Sequence, residues 1–170
     1  MKKLVLSLLV CFISFSLLAQ DIVNLFLNKH GKDENIEVVT IGKKMLDLMQ
    51  SDSIATPELR EAIAGVENIK IITSKEESLN ENYYNSAHGL LLKNKDFTEL
   101  VAIDNEDQRM IVMVKAGRGV ISELVLLMNY SNVFNLISLC GNINLEMLAK
   151  YSQNMDLNEL HNLKIIEDKN

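Results

Sequence analysis

The chain is poor in the residues that break or cross-link a polypeptide. It has one proline, Pro57, seven glycines and two cysteines in 170 residues. So little proline and glycine excludes a flexible linker, a collagen-like repeat and a compositionally disordered chain, each of which needs one or both in quantity. No internal repeat and no low-complexity tract is visible, which removes solenoid and tract-based architectures. Cationic excess is lacking as well. The net charge is −6 at pH 7, a balance that disfavours nucleic acid and anionic lipid as partners, because both recruit clustered Lys and Arg.

What is present begins at the N-terminus. Met1-Lys2-Lys3 precedes Leu4 to Leu18, an apolar run broken only by Ser7, Ser14 and Ser16. A short basic start, an apolar core of about 15 residues and a small final residue are the parts of a cleavable export signal. Residues 1–19 are therefore expected to be a signal peptide cut between Ala19 and Gln20, although Leu17 is larger than the usual small residue three places before a cut. A membrane anchor would need about 18 or more apolar residues. A lipoprotein would need a cysteine at the cut, but Cys11 follows Leu8-Leu9-Val10 and precedes further apolar residues. Cys11 thus reads as small filler of the signal core, and anchoring through it is not expected. The protein is expected to be periplasmic or secreted, with no stable membrane span after cleavage.

Removing 19 of 170 residues leaves 151, residues 20–170, and removing Lys2 and Lys3 takes the charge from −6 to −8. That length suits a single domain with a real core. Cys140 is then the one remaining cysteine. It leaves no internal disulfide and is expected to be a buried free thiol in a strand, although export would permit an intermolecular bond.

Periodicity divides the mature chain into a helical first half and a stranded second half. Asp21–His30 carries Ile22, Val23, Leu25, Phe26 and Leu27 and closes near Gly31, as a short helix. Residues 36–41 read as a strand, after which Thr40 is expected to cap a helix with Ile41, Met45, Leu48 and Met49 on one stripe. Thr56-Pro57 opens another helix, with Leu59, Ala62, Ile63 and Val66 inside. Ile69–Thr73 is a short strand. Ser74-Lys75-Glu76-Glu77 fits a capping box for a helix that buries Leu79, Tyr83, Ala87, Leu90 and Leu91. Then Thr98–Asp104, Gln108–Lys115, Val120–Met128 and Val133–Cys140 form strands joined by turns too short for parallel crossovers. Asn144 and Asp156-Leu157-Asn158-Glu159 open two further helices, the first with Leu145, Leu148, Ala149 and Tyr151 inside, the second with Leu157, Leu160 and Leu163. The expected fold is α+β: a four-stranded antiparallel meander over residues 98–140, joined by two earlier short strands and packed with five or six short helices. In Gln108–Lys115 both faces are apolar, Met110, Val112 and Val114 on one and Ile111 and Met113 on the other. Such a strand is covered on both sides, by helices or by a partner.

Four stretches carry a resemblance. They are Val38-Val39-Thr40-Ile41-Gly42-Lys43-Lys44-Met45, Ile69-Lys70-Ile71-Ile72-Thr73, Gly119-Val120-Ile121-Ser122-Glu123-Leu124 and Leu139-Cys140-Gly141-Asn142-Ile143-Asn144-Leu145. In this order, behind a signal ending Leu-Ala-Gln, the chain resembles domain-of-unknown-function family 4252, small exported proteins of Bacteroidetes-type bacteria. The likeness runs from about Asp21 to Leu157. It implies an envelope or secreted location and transfers no catalytic residue. The chain departs from the family pattern at Asn142 and Asn144, where aspartate is frequent.

No reaction motif emerges. Asp104, Glu106 and Asp107 lack the glycine and distal glutamate of a calcium loop and read as a solvated turn. Glu76, Glu77 and Glu81 suit a helix start. His30, His88 and His161 show no metal-spaced pair. Tyr84 and His88, four apart, are expected at the surface. Gly117-Arg118-Gly119 opens a strand, not the helix a phosphate loop requires. Ser122 and Ser138 lack a nucleophile elbow. Met45, Met49, Met110, Met113 and Met128 read as core filler. No catalytic, cofactor or metal site is therefore expected. The leading expectation is an exported, non-enzymatic protein-interaction or regulatory domain, with a protein partner or a second copy. The alternatives are a ligand binder or enzyme whose site assembles only in the fold, and a self-associating structural protein.

Overall fold

A computed structural model describes residues 21–51, 56–105, 108–117 and 120–144. The elements in chain order are α1 (Ile22–His30), β1 (Glu37–Gly42), α2 (Lys43–Ser51), α3 (Pro57–Ile63), β2 (Val66–Ser74), α4 (Glu77–Lys93), β3 (Phe97–Asp104), β4 (Gln108–Gly117), β5 (Val120–Tyr130) and β6 (Val133–Ile143). The class is α+β, as expected. The six strands form one sheet in the order β1-β2-β6-β5-β4-β3, antiparallel at every pairing. The meander β3 to β6 is continuous with the early pair: β2 adds to β6, the meander's last strand, and β1 forms the outer edge. Among the described residues there are four helices. The two helices expected after Asn144, the cut at Ala19 and Gln20, His161 and Arg118 lie outside the described residues.

Two helix starts have a side-chain cap. Asp21 caps α1 by accepting from the Asn24 backbone N–H at 2.7 Å, and Thr56 caps α3 through Oγ1 to the Leu59 N–H, with Pro57 at the first helical position. The other two starts correct the sequence reading. Thr40 and Ile41 belong to β1, so α2 begins at Lys43; Leu46 is its buried residue, while Met45 and Leu48 are 54% and 57% exposed. The capping box at Ser74 does not form. Ser74 ends β2, its hydroxyl accepts from the Glu76 N–H, and α4 starts without a side-chain cap. Val66, expected in a helix, opens β2.

Helices α1 and α4 cover one face of the sheet. Ile72, Leu136, Leu127 and Ile111 lie opposite one another on four successive strands and pack with Ile22, Phe26, Tyr83, Ala87 and Leu91 in the larger core. Among the described residues, helices α2 and α3 cover one end of the other face, where Leu46 and Ile63 meet Val66, Val114, Ile121 and Ile143. Irregularities in the pairing place those last two residues there. The register of β5 shifts between Ile121 and Glu123. In β6, Gly141 adopts φ +146°, and a Cβ on it would lie 2.3 Å from the Gly65 carbonyl oxygen. Gly65 in turn accepts from the Asn142 N–H at 2.8 Å. Only glycine fits both the conformation and the approach.

Candidate interaction surface

Polar residues interrupt the helix-covered face at one end. Asn68, Cys140, Glu123 and Lys115 stand opposite one another on β2, β6, β5 and β4, with Lys70 and Ser138 paired one row inward. Glu123 is 6% exposed. Its Oε1 accepts from the Ile22 N–H at 3.3 Å and the Ser138 hydroxyl at 3.0 Å. The carboxyl group therefore closes the N-terminus of α1, where free N–H groups need acceptors. Beside it Lys70 Nζ donates to Asp21 Oδ2 at 2.6 Å and to Asn24 Oδ1 at 3.0 Å. Burial raises the Glu123 carboxyl above its ordinary value, against the hydrogen bonds from Ile22 and Ser138.

This row holds a cysteine, a serine and a glutamate, but its chemistry is that of a clasp. Burial pushes the Cys140 thiol up, with the Ser138 hydroxyl acting in the opposite direction. A thiol so placed is protonated at neutral pH and a poor nucleophile. The charged groups acting on it are Glu123, Asp21 and Lys70, none of them a base of the kind that activates cysteine by pairing as histidine does. Sequence reasoning missed this cluster because its members are scattered over 120 residues. The available signal was a pair of inward-facing polar residues, Glu123 and Ser138, inside strongly apolar strands.

The expected candidate residues are distributed elsewhere. His30 packs on Phe26 and Tyr83 and shares a 2.8 Å hydrogen bond with the Ser86 hydroxyl; burial is the main cause lowering its pKa. Tyr83 donates to Asp33 at 2.5 Å, and burial with that bond takes its phenol up to about 12. Tyr84 is not at the surface: it is 1% exposed, under the Arg109 guanidinium at 4.3 Å from the ring centroid, with His88 at 6.0 Å. A cation from the adjoining sheet buries this ring, which helical spacing alone does not reveal. Asp104 pairs with Arg109, and Asn105 accepts from the Gln108 N–H, as in a hairpin turn. Met113 is in the core, Met49, Met110 and Met128 are half-buried, and Met45 is outside. A shallow depression of about 250 Å³ is open to solvent and lined by Glu34, Asn35, Glu37, Lys75 and Glu76. Among the described residues, no three His, Cys, Asp or Glu side chains converge as a metal site, and no helix is long and apolar enough to cross a membrane.

The opposite face of the sheet is the more unusual surface. Val39, Ile71, Ile137, Leu126, Val112 and Val101 lie opposite one another on β1, β2, β6, β5, β4 and β3. This is an unbroken aliphatic row across all six strands, roughly 24 Å wide at ordinary strand spacing. Val39 is 52% and Val101 45% exposed, and the four between are half-buried. Met128, Met110 and Ile103 extend the patch on the side away from α2 and α3. The solvent face of an antiparallel sheet normally alternates to polar residues, and this contiguous apolar row departs from that pattern. Asn135, bonded to Thr73, and Glu37 supply polar edges.

No curated protein and no solved structure matches the chain. Residues 29–151 match the model of a domain of unknown function, DUF4252, a span that takes in the whole sheet, and the chain belongs to that family.

Proposed function

We propose that the protein is an exported, non-enzymatic contact domain of the cell envelope, working by binding another protein through the apolar face of its sheet. The observation that carries the reading is the aliphatic row from Val39 to Val101, one residue from each strand. A rigid sheet presenting such a row offers the apolar centre that protein interfaces require, with Glu37, Thr73 and Asn135 as polar rim. Export is supported by the basic start, apolar core and small final residue of residues 1–19. The clasp at Glu123 supports a non-enzymatic role, because the Glu123 carboxyl is spent on the Ser138 hydroxyl and on the α1 N-terminus.

The test is site-specific photo-cross-linking in the native envelope. A photoreactive residue at Val112 is expected to give a discrete protein adduct, lost when Leu126→Lys is added. The same probe at the exposed α4 position Leu92, on the other side of the sheet, is expected to give none. Absence of any adduct from both Val112 and Ile137 overturns the reading.

A further inference from the structure

We propose that the protein pairs with a second copy of itself through the edge strand β1, antiparallel to its counterpart, about a two-fold axis at Thr40. The contact uses the rim of the sheet, not its apolar face, and does not depend on a partner binding that face.

The two rims of the sheet are built differently. β3 is blunted as natural edges usually are: its register with β4 shifts between Glu99 and Val101, and Glu99 and Asp104 place charge along it. β1 has no such device. Its pairing with β2 is regular over six residues, from Glu37 opposite Thr73 to Gly42 opposite Asn68, and it contains no proline and no lysine. Val38 and Val39 are 45% and 52% exposed. As successive residues of a strand they point to opposite faces, so this rim shows apolar surface on both. Among the described residues no strand lies beyond β1, and every second residue of its outer side presents a backbone N–H and C=O for pairing.

The charges at the two ends of β1 select the occupant. Its start is acidic: Glu37 lines the open depression together with Glu34 and Glu76, against a single lysine, Lys75. Its end is basic: Gly42 is followed by Lys43 and Lys44, both exposed. A strand with opposite charges at its ends complements an antiparallel copy of itself, and a two-fold axis makes that contact twice. With the two apolar faces on the same side of the joined sheet, Thr40 on the axis sets Val39 opposite Ile41, Val38 opposite Gly42 and Glu37 opposite Lys43. Lys44 of each copy then lies near the acidic depression of the other. Val39 on the axis would set Glu37 opposite Ile41 and forfeit the charge pairing. The Thr40 register also joins the aliphatic surfaces of the two copies across the rim, Val39 of each beside Ile41 of the other. A contact confined to one strand per copy is small, so the dimer is a transient one.

The experiment uses the full chain in sedimentation velocity over a concentration series, with hydrogen exchange on the same samples. A dimer is expected to grow in with concentration. Amides of β1, early to exchange in the dilute monomer, are expected to slow several-fold as it does, while those of β3 do not. Glu37→Lys alone should move the dimer to several-fold higher concentration, and Lys43→Glu with Lys44→Glu should do the same. All three substitutions together should restore it, because the charges are exchanged and still complementary. These positions are exposed, so the fold tolerates the changes. Under oxidation Thr40→Cys should give a disulfide between two copies of position 40, since opposed residues of an antiparallel pair lie within disulfide reach. Val101→Cys on β3 should give none. A monomer at every concentration overturns the proposal, as does a dimer indifferent to the charge exchange or one whose protection falls on β3. A dimer abolished by Leu126→Lys, with no cross-link at position 40, also overturns it and places the second copy on the apolar face. The photo-cross-link from Val112 probes that face separately, so either reading can fail while the other stands.

Discussion

Glu123 shows how one buried carboxyl ties stability to pH. Its folded pKa is raised above the ordinary value of 4.5, burial being the main cause. Between the unfolded and folded values the native state therefore holds more protons than the unfolded chain, and stability is lost as pH rises through that window. Glu123→Gln keeps an oxygen for Ile22 and Ser138 and removes the titration. The stability of the variant relative to the parent is expected to increase as pH rises from 4 through the window and then level off, in thermal melts of both proteins. A difference that declines with pH over the same range would show that the carboxylate is the favoured form. Gly141→Ala addresses geometry instead of charge. At φ +146° and 2.3 Å from the Gly65 oxygen, a methyl group strains both backbones, and a loss of roughly 1–3 kcal/mol is expected in denaturant titration. An unchanged midpoint would mean that the β6 irregularity relaxes freely.

Among the elements, β5 carries both functions of the sheet in alternate residues. Leu127 is fully buried under α1 and α4, while Leu126 points to the open face. Leu127→Ala is expected to cost about 2–5 kcal/mol, as a cavity in a packed core does. Leu126→Ala should cost about 1 kcal/mol, because its methyl groups are already partly hydrated. Equal costs, measured by urea unfolding, would indicate that the apolar face is covered as completely as the other. This alternation was legible in the sequence: strands apolar on both sides announced two demands on one sheet. The hairpins β3 to β6 were legible for a related reason, since a turn of two or three residues forces neighbours to pair antiparallel. What was illegible depended on distant partners. Nothing near Ile69 states that it lies opposite Leu139. Ser74 has the spacing of a capping residue, yet pairing with Phe134 holds it in a strand, because ladder pairing outweighs a local cap. Tyr84 reads as exposed until Arg109 is placed above it. The polar clasp was hidden for the same reason, whereas the apolar second face could be anticipated from two-sided strands such as β4.

For the whole molecule, the order of the sheet sets the order in which it opens. Strands β5 and β6 are paired on both sides and lie beneath α1 and α4. β1 and β3 are the edges, with one ladder each, and nearly every residue of both is exposed or half-exposed. The pairing of β2 with β6 also joins residues about 70 positions apart in the chain, a loop whose closure is entropically slow to regain once lost. Opening from the edges breaks fewer buried contacts than opening at the centre, so native-state hydrogen exchange is expected to fall into levels. Amides of β1 and β3 should exchange first, β2 more slowly because Ile72 anchors it in the main core, and β5 and β6 only at the free energy of global unfolding. Exchange of β1 as slow as β5 would contradict this order and would mean that the β1 edge is covered in solution. The same measurement bears on the apolar face, since a bound partner should slow the edge strands and leave the central pair unchanged.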